Sequence, residues 1–153
     1  MQTLVISGGS SGIGKATASL FAERGWCVFE LSRHGVSVTG EGLPVTGKII
    51  HIFCDVCSEE STRAAIAEVL KQTDHIDVVI SNAGYGISGS VEFTNIPDAE
   101  HQMDVNFMGA VRFTQAVLPQ LRKQHSGRLI YTSSVAAALH VPYQAFYSAS
   151  KAA

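Results

Sequence analysis

Ser7-Gly8-Gly9-Ser10-Ser11-Gly12-Ile13-Gly14 decides how the rest of the chain is read. The apolar run Leu4-Val5-Ile6 precedes it, and Lys15-Ala16-Thr17-Ala18-Ser19-Leu20-Phe21-Ala22, which suits a helix, follows it. Glycine lets the backbone turn through positive φ and lets a ligand come close. The start of the following helix offers unpaired N–H groups and the positive end of its dipole. Strand, glycine turn and helix together make an anion site, with a phosphate as its natural occupant. The spacing Gly8-x-x-x-Gly12-x-Gly14 differs from the Gly-x-Gly-x-x-Gly of the commonest dinucleotide fold. Gly9 to Lys15 matches the first seven positions of a P-loop, but Ala16 stands where the magnesium-binding hydroxyl belongs. A glycine-rich turn with no ligand is the third reading.

Outward from this turn, short apolar runs alternate with helical stretches. Strands are expected near residues 3–7, 26–31, 49–53, 77–81 and 128–132, and helices near 13–24, 59–72, 98–125 and from 144 onward. The runs are β-branched and nearly continuous in apolar character, as in a parallel sheet covered on both faces. Arg24-Gly25 ends the first helix with a cation and then glycine. The span 34–48, with Gly35, Gly40, Gly42, Pro44 and Gly47, reads as a loop or a single short helical turn. Pro119 is expected to bend or break the long helix near residues 115–119.

A chain of 153 residues fits one domain, and 46% hydrophobic with 16% charged residues is a globular composition. A net charge of −2 gives no strong field for nucleic acid or acidic membranes. The N-terminus lacks a cleavable signal pattern, and no apolar run reaches the roughly 20 residues of a membrane span. The expectation is a soluble, cytoplasmic protein without a nucleic-acid or membrane partner. Cys27, Cys54 and Cys57 are an odd number of thiols, against a disulfide framework. Cys54-Asp55-Val56-Cys57 has redox-motif spacing, but no second pair completes a zinc site, so ordinary thiols and no metal are expected.

Chemistry concentrates near the C-terminus, in Tyr147-Ser148-Ala149-Ser150-Lys151. Positions i and i+4 share a helix face, and an ammonium beside a phenol favours the phenolate. Such a tyrosine can exchange a proton with a carbonyl or an alcohol. Upstream, Ser134 lies just past an expected strand end, where ligands bind in open α/β sheets. Its hydroxyl can bond an oxygen on which charge develops; Ser133 is its rival, and a strand-end cap is the plain alternative for both. Ser81-Asn82-Ala83-Gly84 belongs on the same edge. Asn106, among apolar neighbours in the long helix, is either functional or a helix-packing hydrogen bond.

In this order, the pieces resemble the short-chain dehydrogenase/reductase family, whose pattern is Thr-Gly-x-x-x-Gly-x-Gly, Asn-Asn-Ala-Gly, a helix asparagine, a serine and Tyr-x-x-x-Lys. Ser7 replaces the turn threonine and Ser81 the first asparagine. The resemblance spans the whole chain and outweighs the P-loop reading, which leaves Tyr147 and Lys151 unexplained. It implies a Rossmann-like, doubly wound α/β sheet of strand order 3-2-1-4-5, without the family's last strands. It also implies an oxidoreductase acting on a small-molecule carbonyl or alcohol. Tyr147 would be the acid/base, Lys151 its activator and the holder of the nicotinamide ribose, Ser134 the binder of the substrate oxygen, and Asn106 the positioner of a relay water. Gly8, Ser10, Ser11, Gly12, Ile13 and Gly14 would admit the pyrophosphate. Asp55 and Val56 would flank the adenine, and Asn82, Ala83 and Gly84 would line the adenosine side.

NAD-preferring relatives usually end the second strand on an aspartate. Ser32 takes that place here, followed by Arg33, so NADP(H) is the expected cofactor, with NAD(H) possible. Glu30 complicates this: if the strand ends earlier, its carboxylate would favour NAD. Residues 85–90 and 139–146 should border a fairly apolar substrate pocket, with His140 and Tyr143 as candidate contacts. The family commonly pairs its long helix and its Tyr-x-x-x-Lys helix across a two-fold axis, so the resemblance implies a homodimer or homotetramer; Val105, Met108, Val111, Ala116 and Leu118 offer apolar surface for it, though some must face the sheet. Relatives continue past this helix and pair another strand beside the one near 128–132, so the 153 residues are expected either to be part of a longer chain or to associate through that bare strand edge, and by themselves to bind dinucleotide weakly and turn over little. A catalytically silent dinucleotide-binding fragment is the rival function.

Overall fold

In the computed structural model, which describes residues 1–39, 47–139 and 141–153, Thr3–Ser7 forms strand β1 at the centre of a five-stranded sheet. β2 (Cys27–Ser32) and β4 (Val78–Ser81) flank it in parallel, with β3 (Lys48–Phe53) beyond β2 and β5 (Arg128–Tyr131) beyond β4. The order β3-β2-β1-β4-β5 is the one expected from the resemblance, and each strand begins and ends within one residue of its expected place.

Successive side chains of a strand point to opposite faces, and β1 shows both faces covered. Val5 joins Phe29, Leu31, Val69, Val79, Phe113 and Val117 in one core cluster, packed by α2 (Glu59–Leu70) and α4 (Gly109–Gln124). Leu4 and Ile6 join Ala18, Ala22, Val28 and Ile80 in a second, under α1 (Gly12–Glu23). Leu4, Val5 and Ile6 are wholly buried, and each contributes about 1.5–3 kcal/mol by leaving water.

Ser58 caps α2, its hydroxyl accepting the Ser61 N–H at 3.1 Å. Helix α1 closes on Gly25, whose φ of +84° suits glycine and whose N–H donates to Ala22 O. The expected long helix is three consecutive pieces: α3 (Ile96–Met103), a π segment (Asp104–Met108) and α4. Pro119 does not break it; α4 runs on to Gln124, and the departure from α geometry lies about three turns earlier, in the π segment around Asn106. A 3-10 turn (Val135–Ala137) precedes the last helix, α5 (Ala145–Ala152).

Within the expected loop of 34–48, Val38 pairs antiparallel with Ile49. Gly40, Gly42 and Pro44 of that loop, and His140, lie outside the described residues. Of the five apolar residues offered for association, Val105 and Ala116 are among those that face inward, packed on the first core cluster, whereas Met108 is exposed. Among the described residues β5 pairs only with β4, and its Ile130 and Tyr131 are exposed. No described helix is long and apolar enough to cross a membrane.

Candidate active site

Because all five strands are parallel, their C-terminal ends share one edge of the sheet, and the chemistry-bearing residues collect there. Ser7 ends β1. Its buried hydroxyl accepts the N–H of Asn82 at 3.0 Å and that of Ala83 at 3.1 Å. Asn82 is a strut between three strand ends: its Nδ2 donates to Gly8 O at 3.0 Å, and its Oδ1 accepts from Thr132 Oγ1 at 3.2 Å.

The glycine turn is built around close approach. Gly8 has φ +68°, and a Cβ there would meet the Ala83 backbone at 2.8 Å. A Cβ on Gly14 would run into Gly8 O and Asn82 Nδ2. Gly12, at φ +52°, has nothing within 4 Å of its Cβ position and faces open space. Ser11, the N-cap of α1, makes no side-chain capping bond, so the first N–H groups of the helix are left for another acceptor.

This turn lines a cleft of about 920 Å³. Gly8, Ser10, Ser11, Gly12, Ile13 and Gly14 form one wall, together with Ser32, Arg33, Asp55 and Val56. Asn82, Ala83, Gly84, Ser134, Tyr147 and Lys151 complete it. Of the residues to which the resemblance gave a catalytic or cofactor-binding role, only Asn106 is absent from that lining. It borders an adjoining cavity of about 480 Å³ between the π segment, α4, β5 and α5, which shares Ala83, Thr132, Ser133 and Lys151 with the cleft.

Asn106 is 7% exposed. Its Oδ1 accepts the Tyr85 N–H at 2.9 Å, and its Nδ2 donates to Tyr85 O at 2.8 Å and to Ser150 Oγ at 2.9 Å. Both amide protons are therefore used, and Oδ1 keeps one lone pair. Gln102, one helical turn earlier, is wholly buried and also donates to Tyr85 O, at 3.2 Å. Sequence reasoning missed it; its signal was a polar side chain four residues before Asn106, on the same helix face.

Lys151 Nζ donates to Thr132 O at 3.0 Å, tying α5 to the end of β5. A Cβ on Gly84 would lie 3.0 Å from Asn106 Oδ1 and 3.3 Å from Lys151 Nζ, and one on Gly86 would lie 3.2 Å from the Tyr147 ring. The absence of side chains at these two positions lets the stretch pass close over α5. Tyr143, at φ +63°, accepts the Gly89 N–H through its carbonyl at 2.8 Å, joining the two stretches expected to border the pocket. Ser134 Oγ accepts the Ala136 N–H at 3.2 Å as the cap of the 3-10 turn, which leaves its own proton free to donate. Ser133 Oγ donates to Lys151 O at 3.2 Å and is committed to α5.

β2 runs to Ser32, so Ser32 and Arg33 reach the cleft. Glu30 does not. It is 2% exposed, and its Oε2 pairs with His51 Nδ1 at 2.7 Å. The complication it posed for the sequence is removed by strand register, which sets Glu30 opposite His51. Burial raises the Cys54 thiol to about 11, despite the Thr62 hydrogen bond that opposes it. Burial, then the hydrogen bond to Asp104 and its charge, push Cys57 up to about 12.

The short-chain dehydrogenase family model matches residues 2–153. The chain belongs to that family. Among curated relatives, the 3-ketodihydrosphingosine reductase of Bacteroides thetaiotaomicron is 39% identical over 150 residues, covering 98% of this chain and 53% of the relative. An NADH-dependent reductase A1-R' complexed with NAD superposes with a TM-score of 0.84 at 25% identity, covering 99% of this chain and 67% of that one. An alcohol dehydrogenase from the archaeon Thermococcus sibiricus, complexed with 5-hydroxy-NADP, gives 0.83 at 27% identity, covering 99% and 66%. The chain spans about half the length of the curated relatives it matches. The family is one of nicotinamide-dinucleotide oxidoreductases. The uncapped start of α1, the open Cβ position at Gly12 and the size of the cleft fit such a cofactor.

Proposed function

We propose that this short-chain dehydrogenase interconverts a carbonyl compound and an alcohol, prefers NADP(H), and uses Tyr147 as its acid/base. The observation that carries the reading is the convergence of Tyr147, Lys151 and Ser134 on the cleft that the glycine turn also lines. Bound there, the dinucleotide supplies or accepts the hydride. The turn Gly8–Gly14 and the start of α1 hold its pyrophosphate, Asp55 and Val56 flank the adenine, and Asn82, Ala83 and Gly84 line the adenosine side. Ser32 leaves room for a 2′-phosphate, and the exposed Arg33 guanidinium pairs with it.

Tyr147 gives its phenolic proton to the substrate oxygen during reduction and takes it back during oxidation. Ser134 donates its free hydroxyl proton to the same oxygen. Lys151 is held by Thr132 O beside the cleft and holds the nicotinamide ribose. Asn106 uses the remaining lone pair of Oδ1, close to Lys151 across Gly84, to help position a relay water. The similarity to the Bacteroides reductase supports a ketone on an apolar chain as substrate, and exposed Val135, Leu139, Val141 and Tyr143 offer it contact.

The protein associates as a homodimer or larger assembly, using exposed Met108, Ile130 and Tyr131. Light scattering at micromolar concentration should give at least a dimer mass, and a strictly monomeric mass contradicts this. The activity is tested in a form of the protein as long as its relatives, by NADPH consumption over a panel of apolar ketones and aldehydes. Saturable, carbonyl-dependent consumption is expected. Dinucleotide binding without turnover on any member of the panel contradicts the oxidoreductase reading and leaves a silent binding module.

A further inference from the structure

Beyond the chemistry of the cleft, the fold brings together three side chains that the sequence keeps apart. Cys57 lies on the connection from β3 to α2; His101 and Asp104 lie three residues apart, on α3 and at the start of the π segment. One ligand atom of each lies within 4.8 Å of the other two. We propose that Cys57, His101 and Asp104 form a binding site for a zinc-type divalent cation at the rim of the cofactor cleft.

The donor set is the first argument. A thiolate, an imidazole and a carboxylate are all ligands that zinc takes, and three protein ligands leave a fourth position for water. His101 is exposed, so that position is open to solvent. Bonds of about 2.0–2.3 Å place tetrahedral ligands closer together than 4.8 Å, and side-chain rotation closes the difference.

The supporting shell is the second argument. Arg112 donates from one nitrogen to Asp104 Oδ1 at 2.7 Å and from another to Val56 O at 3.1 Å. One guanidinium thus orients the carboxylate and fixes the backbone next to Cys57, as outer partners do in metal sites. The His101 ring lies 5.9 Å from the Tyr85 ring, tilted by 45°. Charge is the third argument. The metal displaces the thiol proton of Cys57 to solvent, and the resulting thiolate and the Asp104 carboxylate balance the two charges of the cation. Arg112 remains as the single excess charge. Because His101 also lines the cleft, the ion would brace α3 against the loop that carries Asp55 and Val56.

The test is titration of chelator-treated protein with zinc alone, by calorimetry, and with cobalt(II), by absorption. One equivalent of zinc should bind, and cobalt should give a thiolate-to-metal charge-transfer band. Cys57→Ser should abolish the band, and both Cys57→Ser and His101→Ala should weaken zinc binding about tenfold or more. His101 is exposed, so its variant remains informative if Cys57→Ser folds poorly. His75→Ala, at an exposed histidine paired with Asp77, should change nothing. Absence of saturable binding, a cobalt complex without the thiolate band, or affinity unchanged in both His101→Ala and Cys57→Ser overturns the proposal.

Discussion

Replacing Ser7 by alanine removes one oxygen from the centre of the site and leaves the backbone untouched. That oxygen accepts two N–H groups, of Asn82 and Ala83, at 3.0 and 3.1 Å, and Ser7 is 1% exposed. No water reaches so buried a position without rearrangement. Each buried donor left unpaired costs about 1–3 kcal/mol. The two donors are adjacent and relax together, so their costs do not simply add. A loss of about 2–4 kcal/mol is expected, which for a domain of this size lowers Tm by several degrees. Ser7→Thr keeps the hydroxyl, as in the family pattern, and should retain most of the stability. Urea unfolding of the three proteins, with midpoints compared at equal slope, reads the difference. If Ser7→Ala loses less than about 0.5 kcal/mol, or Ser7→Thr loses as much as Ser7→Ala, the hydroxyl is not what joins β1 to the end of β4, and the reasoning fails.

Arg33→Ala should weaken NADPH binding about 10- to 150-fold, the equivalent of one charge-assisted hydrogen bond, and barely alter NADH binding; equal losses for both cofactors in fluorescence titrations contradict the assignment. Cys57, held up to about 12 by burial and by Asp104, should be alkylated slowly in metal-free protein, at a rate still climbing above pH 9; a plateau below about pH 9 contradicts a thiol raised above its ordinary value.

The strands were legible because their apolar runs are long, β-branched and bounded by turn residues, and the topology followed once the glycine turn and Tyr147-x-x-x-Lys151 were read together. The π segment was not legible. Residues 98–125 carry a helical pattern that does not distinguish a regular helix from one with an inserted π turn, and that choice rests on Asn106 reaching Tyr85 and Ser150. Glu30 illustrates the same limit, since only its register opposite His51 shows that the carboxylate is buried with one oxygen paired to the imidazole. Asn82 was placed at the site, but its work as a strut depends on Gly8 and Thr132, which reach it from two neighbouring strands. Cys57 looked ordinary because its companions, His101 and Asp104, lie far along the chain, and local spacing carries no trace of them.

The central claim is that Tyr147 moves the proton in a cleft built to hold a dinucleotide. It is tested most directly by single-turnover reduction of a ketone by the active protein and by its Tyr147→Phe variant, with cofactor affinity measured for both. The account expects dinucleotide binding within a factor of about two of the parent and a chemical step slowed about 10²–10⁴-fold. A Phe variant that reduces the ketone within a factor of about two of the parent rate would contradict it.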